Sequence, residues 1–270
     1  MGPVGVEEGD LLEIAVSVAS AAAELARTAR EDAIRDVGTK SSETDVVTAA
    51  DLAVERLVRE RLAELRPGEP VLGEEAGGST PTPHDGVSWV VDPIDGTVNY
   101  LYGYPWYAVS LAAQVGGESV AAAVVEPVSG RRWTAARGGG AFLDGRPLRV
   151  SASTRLELSL VGTGFAYRPE RRVRQAAGVP GLLSRVRDIR RAGAASLDLC
   201  AVAAGWLDGY FEHGLNRWDW AGGALIAAEA GAVVRLPESD DDTDGLTFVA
   251  APGIADDLWA ALAETGYLDL

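Results

Sequence analysis

The run Trp89-Val90-Val91 leads directly into Asp92-Pro93-Ile94-Asp95-Gly96-Thr97, and no other stretch limits the fold of this chain so tightly. An apolar run that ends in acids reads as a buried strand delivering carboxylates to the edge of a sheet, where ligands collect in open α/β folds. Carboxylate oxygens select hard cations such as Mg²⁺. The Gly-Thr pair that follows offers backbone N–H groups and a hydroxyl, which suit a phosphate. Metal and phosphate together point to metal-assisted phosphoester chemistry.

Composition narrows the alternatives. At 270 residues the chain fits one large domain or two intimate halves. A formal charge of −16 argues against nucleic acid or an anionic membrane surface as partner, since both repel it. Cys200 is the single cysteine, which excludes an internal disulfide, and two histidines, His84 and His213, are too few for a histidine-based zinc site. The N-terminus has no signal-type apolar region and no run of 18 apolar residues occurs anywhere, so a cytoplasmic protein is expected.

Along the chain, Leu11 to Arg35 carries apolar residues at helical spacing, and a second helix is expected over Ala49 to Leu65, ended by Pro67-Gly68. Strand-like runs follow at Val71-Leu72, Ser88 to Val91, Ala108 to Val115, Val120 to Val125, Trp133 to Ala136 and Ala141 to Leu143, with Asp144-Gly145 a hairpin turn. From about residue 151 strands and helices alternate. Strands are expected at Leu158 to Gly162, Val186 to Ile189, Leu207 to Glu212 and Thr247 to Ala250. Helices are expected around Arg171 to Ser184, Ala194 to Ala204, Trp218 to Ala230 and Ala255 to Glu264. The acidic run Glu238 to Asp244 reads as a solvated loop. This order gives a layered α/β chain with an N-terminal half, 1–150, and a C-terminal half, 151–270, forming one compact unit with the site between them.

Four acids stand at the ends of expected elements: Glu74 after Val71-Leu72-Gly73, Asp92 and Asp95 after the next strand, and Asp219 where a helix begins. Each alone suits a turn or a cap, and Asp219 in particular suits a helix N-cap. Jointly they bring a charge of −4 into one cleft, which needs cations to persist. Two Mg²⁺ neutralise it, and a third leaves +2 to match a phosphate dianion. Metal therefore binds before phosphate in this reading.

Several ordered motifs carry a resemblance. Gly73-Glu74-Glu75, Trp89 to Tyr100, Gly162-Thr163-Gly164-Phe165, Arg191-Ala192-Gly193-Ala194-Ala195, Asp208 to Glu212 and Trp218-Asp219-Trp220-Ala221-Gly222 resemble the signatures of the inositol monophosphatase family, from about Lys40 to the C-terminus. The resemblance implies the layered αβαβα sugar-phosphatase fold, a homodimer, two or three Mg²⁺, lithium sensitivity, and hydrolysis of a phosphate monoester without a covalent intermediate. Carried over by motif, Glu74, Asp92, Asp95, the Ile94 carbonyl and Asp219 hold metal, while Gly96 and Thr97 meet the phosphate through backbone N–H groups. Glu74 and the Thr97 hydroxyl orient the attacking water, and Asp51 polarises the threonine. Thr48-x-x-Asp51 equally satisfies a helix capping box. Lys40 matches a family lysine near the phosphate.

Glu212 and the Gly193-Ala194-Ala195 backbone correspond to positions that grip cyclitol hydroxyls, with Asp219 beside them. Inositol-1-phosphate is therefore the expected ester and an inositol-phosphate phosphatase the expected enzyme. Ala194 departs from the common hydroxyl-bearing form, and Arg217 could pair with an acid or touch substrate. Histidinol phosphate, fructose-1,6-bisphosphate and 3′-phosphoadenosine phosphate are the rival substrates on the same fold. A non-enzymatic regulator is the rival from another class, since some bacterial relatives engage the transcription machinery.

Overall fold

The computed structural model describes residues 8–36, 43–76, 86–237 and 245–269. Lys40, His84 and the 238–244 run lie outside them.

Two helices open the chain, α1 (Glu8–Asp36) and α2 (Glu43–Leu65). In α1 the stripe Leu11, Ala15, Val18, Ala19, Ala22, Ala23 and Ala26 is buried, and in α2 the four-residue repeat Ala50, Val54, Val58, Leu62 is buried. α2 starts six residues earlier than Ala49. Thr48 is therefore interior to the helix, and the capping-box reading of Thr48-x-x-Asp51 fails.

Seven strands then form one sheet in sequence order: β1 (Val71–Gly73), β2 (Val87–Asp95), β3 (Ala108–Val115), β4 (Glu118–Val125), β5 (Arg132–Ala136), β6 (Gly140–Leu143) and β7 (Arg146–Pro147). β1 pairs parallel with β2 and the rest pair antiparallel. The short helix α3 (Thr97–Tyr102) follows β2 directly. The Asp144-Gly145 hairpin forms as expected, with φ of 49° and 77° at its two central residues.

The C-terminal part contributes β8 (Leu160–Thr163), α4 (Pro169–Ala177), α5 (Val179–Leu183), β9 (Asp188–Arg190), α6 (Ala195–Ala203), β10 (Gly209–His213), α7 (Arg217–Glu229), β11 (Val233–Arg235), β12 (Leu246–Ala250) and α8 (Ala255–Glu264). Its five strands lie in the order β11-β12-β10-β8-β9. The single helix expected over Arg171 to Ser184 is broken at Gly178 into α4 and α5, with Pro180 near the start of α5.

Three apolar cores join five layers, the middle one spanning both faces of the α6–α7 layer. α1 and α2 pack on the outer face of the large sheet through Trp89, Val91, Val109, Leu111 and Ala123. α6 and α7 fill the space between the sheets, against Val90, Ala112, Ala122 and Val124 on one side and Tyr210 and Val249 on the other. Leu182 of α5 and Leu258 and Leu262 of α8 cover the far face of the small sheet with Phe211 and Phe248. This is the αβαβα arrangement. Every residue of β2 is buried because helices cover both its faces.

β2 positions the site. Trp89 and Val91 face α1 and α2 while Val90 faces α7, so strict alternation puts Asp92 on the α7 side and Asp95, three residues on, on the opposite side. The register with β3 shifts between Asp92 and Asp95. A bulge of this kind re-aims a side chain, and it turns both acids toward the helices between the sheets.

Candidate metal and phosphate site

Asp92, Asp95 and Asp219 each offer a carboxylate oxygen, and the three oxygens lie within 4.8 Å of one another. Asp92 and Asp95 come from β2 and Asp219 from the first turn of α7. The three line a cleft of about 300 Å³, together with Glu74, Ile94, Gly96, Thr97, Gly193, Ala195 and Glu212. Residues distant in sequence thus meet in one place.

Asp219 has two tasks. Its Oδ2 accepts the Asn216 N–H at 2.6 Å, closing a capping box with Asn216 at the start of α7. Asn216, not Asp219, is the N-cap; Asp219 is the reciprocal third residue of the box, and that bond fixes the side chain that also joins the acid cluster.

Asp95 is held most firmly. Its Oδ1 accepts the Ala195 N–H at 3.1 Å, and its Oδ2 accepts the Ser196 N–H at 2.7 Å and the Ser196 hydroxyl at 2.5 Å. The carboxylate caps α6 from across the cleft, where the helix dipole favours negative charge. Ala195 therefore gives its N–H to Asp95, and Ala194 is buried beneath the cleft at 1% exposure. Of the Gly193-Ala194-Ala195 trio, only Gly193 and Ala195 line the cleft. The sequence reading passed over Ser196, whose buried hydroxyl donates to Asp95.

Gly96 sits at φ 88°, and a Cβ there would approach Trp106 O to 3.1 Å and Gly193 O to 3.2 Å. Both the turn and the crowding demand glycine. Thr97 opens α3, and among the described residues its hydroxyl donates to Ile94 O at 3.1 Å rather than to Asp51. Asp51 is buried in α2 at 2% exposure, and its Oδ1 has no hydrogen-bond partner among the described residues.

Glu55, one turn after Asp51 in α2, is a positioning residue that sequence reasoning missed. Its carboxylate accepts the N–H groups of Glu75 at 2.8 Å and Ala76 at 3.1 Å, and it pairs with Arg59 at 2.8 Å. The turn that carries Glu74 is thereby fixed to the helix. The i, i+4 spacing of Asp51 and Glu55 was the available signal.

On the opposite wall, the Tyr210 hydroxyl donates a short hydrogen bond to Glu212. A Cβ at Gly164 would overlap the Glu212 carboxylate, so the glycine makes room for it. Arg217 turns away from the cleft. It donates to Gln114 Oε1 and to Gly117 O, each at 3.0 Å, and lies 5.5 Å from the Trp220 ring centroid.

The charges explain what the cleft accepts. Burial, then the Glu74, Asp95 and Asp219 charges, pushes Asp92 well above the usual carboxylate range. Burial followed by Asp95 does the same to Asp219. Burial also raises Asp95, although the Ser196, Ala195 and Leu197 donors oppose the rise. Loss of hydration, then Glu75 and Asp95, brings Glu74 to about 7, although part of it faces solvent. Asp51 rises to about 8 through burial and the Glu75 and Glu74 charges. Burial brings Glu212 to about 7 against the pull of Tyr210 and Arg191. So many acids cannot all ionise together without a cation. Among the described residues Asp92 Oδ1 is buried and lacks a hydrogen-bond partner, which is the condition expected of a metal-ligand oxygen. An all-oxygen donor set fits a hard divalent ion.

Known proteins resemble the chain over most of its length. The model of the inositol monophosphatase family matches residues 7–266. An inositol-1-monophosphatase of Mycobacterium leprae is 55% identical over 235 residues, covering 84% of this chain and 81% of its own. The Nus factor SuhB of Pseudomonas aeruginosa is 41% identical, covering 83% and 84%. The solved structure of Mycobacterium tuberculosis SuhB matches with a TM-score of 0.85 and 46% identity, over 97% of this chain and 99% of that one. By fold, by the acids gathered in its cleft and by these likenesses, the chain belongs to the inositol monophosphatase family.

Proposed function

We propose that the protein is a Mg²⁺-dependent phosphomonoesterase that hydrolyses inositol-1-phosphate to inositol and phosphate. The observation that carries this is the meeting of Asp92, Asp95 and Asp219 within 4.8 Å, in the cleft that also holds Thr97 and Glu212. The name printed for the Mycobacterium leprae relative supports the ester.

Asp92, Asp95, Asp219, Glu74 and the Ile94 carbonyl would hold two or three ions. When bound, such ions lower the pKa of water and offset charge on phosphoryl oxygens. The chain's own groups do the rest. Gly96 and Thr97 meet the phosphate with N–H groups at the start of α3. Glu74, at about 7, can take a proton near neutral pH, and the Thr97 hydroxyl helps orient the attacking water. Asp51 is buried behind them among Glu55, Glu74 and Glu75, and adjusts the charge felt by Glu74. Glu212, oriented by Tyr210, accepts hydrogen bonds from ring hydroxyls, with Asp219, Gly193 and Ala195 beside them. The halves 1–150 and 151–270 act as one unit in this reading, and the enzyme is a cytoplasmic, lithium-sensitive homodimer.

Rates of phosphate release from inositol-1-phosphate, histidinol phosphate, fructose-1,6-bisphosphate and 3′-phosphoadenosine phosphate test the assignment. Inositol-1-phosphate is expected to be favoured over histidinol phosphate, and a preference of tenfold or more for histidinol phosphate overturns it. The Nus factor relative favours a second reading as a regulator. The intact acid cluster supports the enzymatic one. Phosphate release with Mg²⁺ that Asp92→Asn abolishes distinguishes the two.

A further inference from the structure

The side-chain amide of Asn99 joins three backbone segments that crowd around Gly96. Its Nδ2 donates to Trp106 O at 2.7 Å and to Ala192 O at 2.9 Å, so both amide hydrogens are spent on carbonyls. Asn99 belongs to α3, two residues after Thr97, whereas Ala192 lies between β9 and α6. Trp106 carries the tie further, since its indole Nε1 donates to Asp198 Oδ1 of α6 at 3.4 Å. Asn99 itself is not part of the cleft lining, but Gly96, Thr97 and Gly193 are. It therefore connects the turn that meets the phosphate to the backbone facing the polyol.

The two sides of this tie are not equally secure without it. α3 has anchors of its own: Tyr100 O accepts from Arg30 Nε at 2.7 Å, and the Tyr100 hydroxyl donates to Ala26 O at 3.0 Å, which pins the helix to α1. Gly193 sits at φ 90°, and a glycine leaves such a conformation as readily as it enters it. The Ala192 carbonyl and the Gly193 N–H share one planar trans peptide and point in opposite directions. Holding the carbonyl against Asn99 therefore fixes the N–H as well. We infer that Asn99 is a positioning residue for substrate selection, which holds the Gly193 backbone at a set reach from the Gly96–Thr97 turn. A polyol whose phosphate lies at the metal end then meets Gly193 and Glu212 in register. This rests on the phosphomonoesterase reading given above. Misplacing bound groups by about 1 Å can cost about a hundredfold in rate, and here the polyol side alone is displaced.

Two constants measured with Mg²⁺ on wild type, Asn99→Ala and Asn99→Gln test this. They are KM for inositol-1-phosphate and the inhibition constant of inorganic phosphate, which reads the metal end without a ring. Asn99→Ala is expected to raise KM about tenfold or more, with a smaller fall in kcat, and to leave the phosphate constant within about twofold of wild type. Asn99→Gln keeps the donor amide on a longer arm and recovers part of the lost KM. A fold loosened throughout raises both constants together. That result, or an unchanged KM in Asn99→Ala, overturns the inference. Circular dichroism shows whether each variant folds. Should Asn99→Ala not fold, Asn99→Gln is read by the same pair of constants, and a KM less than about threefold above wild type then overturns it. Failure of the underlying reading appears differently, as no phosphate release from inositol-1-phosphate by the wild type.

Discussion

Asp92→Asn should make the metal-free protein more stable at pH 8 and the Mg²⁺-loaded protein less so. Asp92 is 1% exposed, and its carboxylate oxygen lies within 4.8 Å of those of Asp95 and Asp219. At an effective dielectric of about 20, two like charges at that separation repel by about 3.5 kcal/mol, so two neighbours give about 7 kcal/mol with every group ionised. The folded protein can instead keep a proton on Asp92. From an unperturbed pKa of 3.8, that costs about 1.4 kcal/mol per pH unit, or about 6 kcal/mol at pH 8. Both routes destabilise the fold, and the protein takes the smaller cost. The sign follows from the raised pKa: the folded state binds the extra proton, so metal-free stability is greatest below about pH 4 and falls as pH rises. Asparagine keeps the shape and removes the charge. Allowing for relaxation and the loss of one acceptor, the variant should gain about 2–4 kcal/mol at pH 8 in chelator, or roughly 5–12 °C in Tm, and almost nothing at pH 5. With millimolar Mg²⁺ the order reverses, because the wild type gains the larger ligand stabilisation. Thermal melts at pH 5 and pH 8, in chelator and in Mg²⁺, give the four comparisons. Equal destabilisation of the variant in chelator and in Mg²⁺ at pH 8 refutes the electrostatic reasoning.

Other outcomes follow from single contacts. Gly164→Ala displaces the Glu212 carboxylate and should raise KM for inositol-1-phosphate tenfold or more with a smaller change in kcat, read from steady-state kinetics. Ser196→Ala removes the hydroxyl on Asp95 and should cost about 1.5–3 kcal/mol by denaturant unfolding, the range for a hydrogen bond to a charged group. Asp51→Asn removes a group held at about 8, so the loss of metal-free stability between pH 4 and pH 8 should be shallower in the variant than in the wild type. Arg217→Gln loosens the β3–β4 hairpin and should lower Tm while leaving kcat/KM within about twofold, since Arg217 bonds Gln114 and Gly117 rather than facing the cleft.

Much of the fold was readable because covered sheets and amphipathic helices write their periodicity into the chain. β3 and α8 begin and end at the residues expected, and α6 within a residue of them. The misses have physical causes. Acids and proline are rare inside strands, so the expected end of β2 fell at Val91, whereas the strand runs on to Asp95 through an irregular register that no pattern of alternation reveals. Thr48 and Asp51 imitate a helix start, which hid the first six residues of α2. β11 has three residues, all half-buried, and α3 has six in total, too short for a periodic signal. Within the site, Asp92, Asp95 and Asp219 converge, because motif spacing survives folding. Glu55 and Ser196 were passed over, because their importance lies in which neighbours they touch across the chain. The Asp51–Thr97 pairing drawn from resemblance meets a different local geometry, with the threonine turned to Ile94 O.

Crystals grown with Mn²⁺ in place of Mg²⁺, and phased on its anomalous signal, test the central claim most directly. The account predicts a peak ligated by Asp92, Asp95 and Asp219 at about 2.2 Å, the distance range of oxygen-ligated ions of this size. Anomalous density away from these three carboxylates, alongside phosphate release that persists in excess chelator, would contradict it.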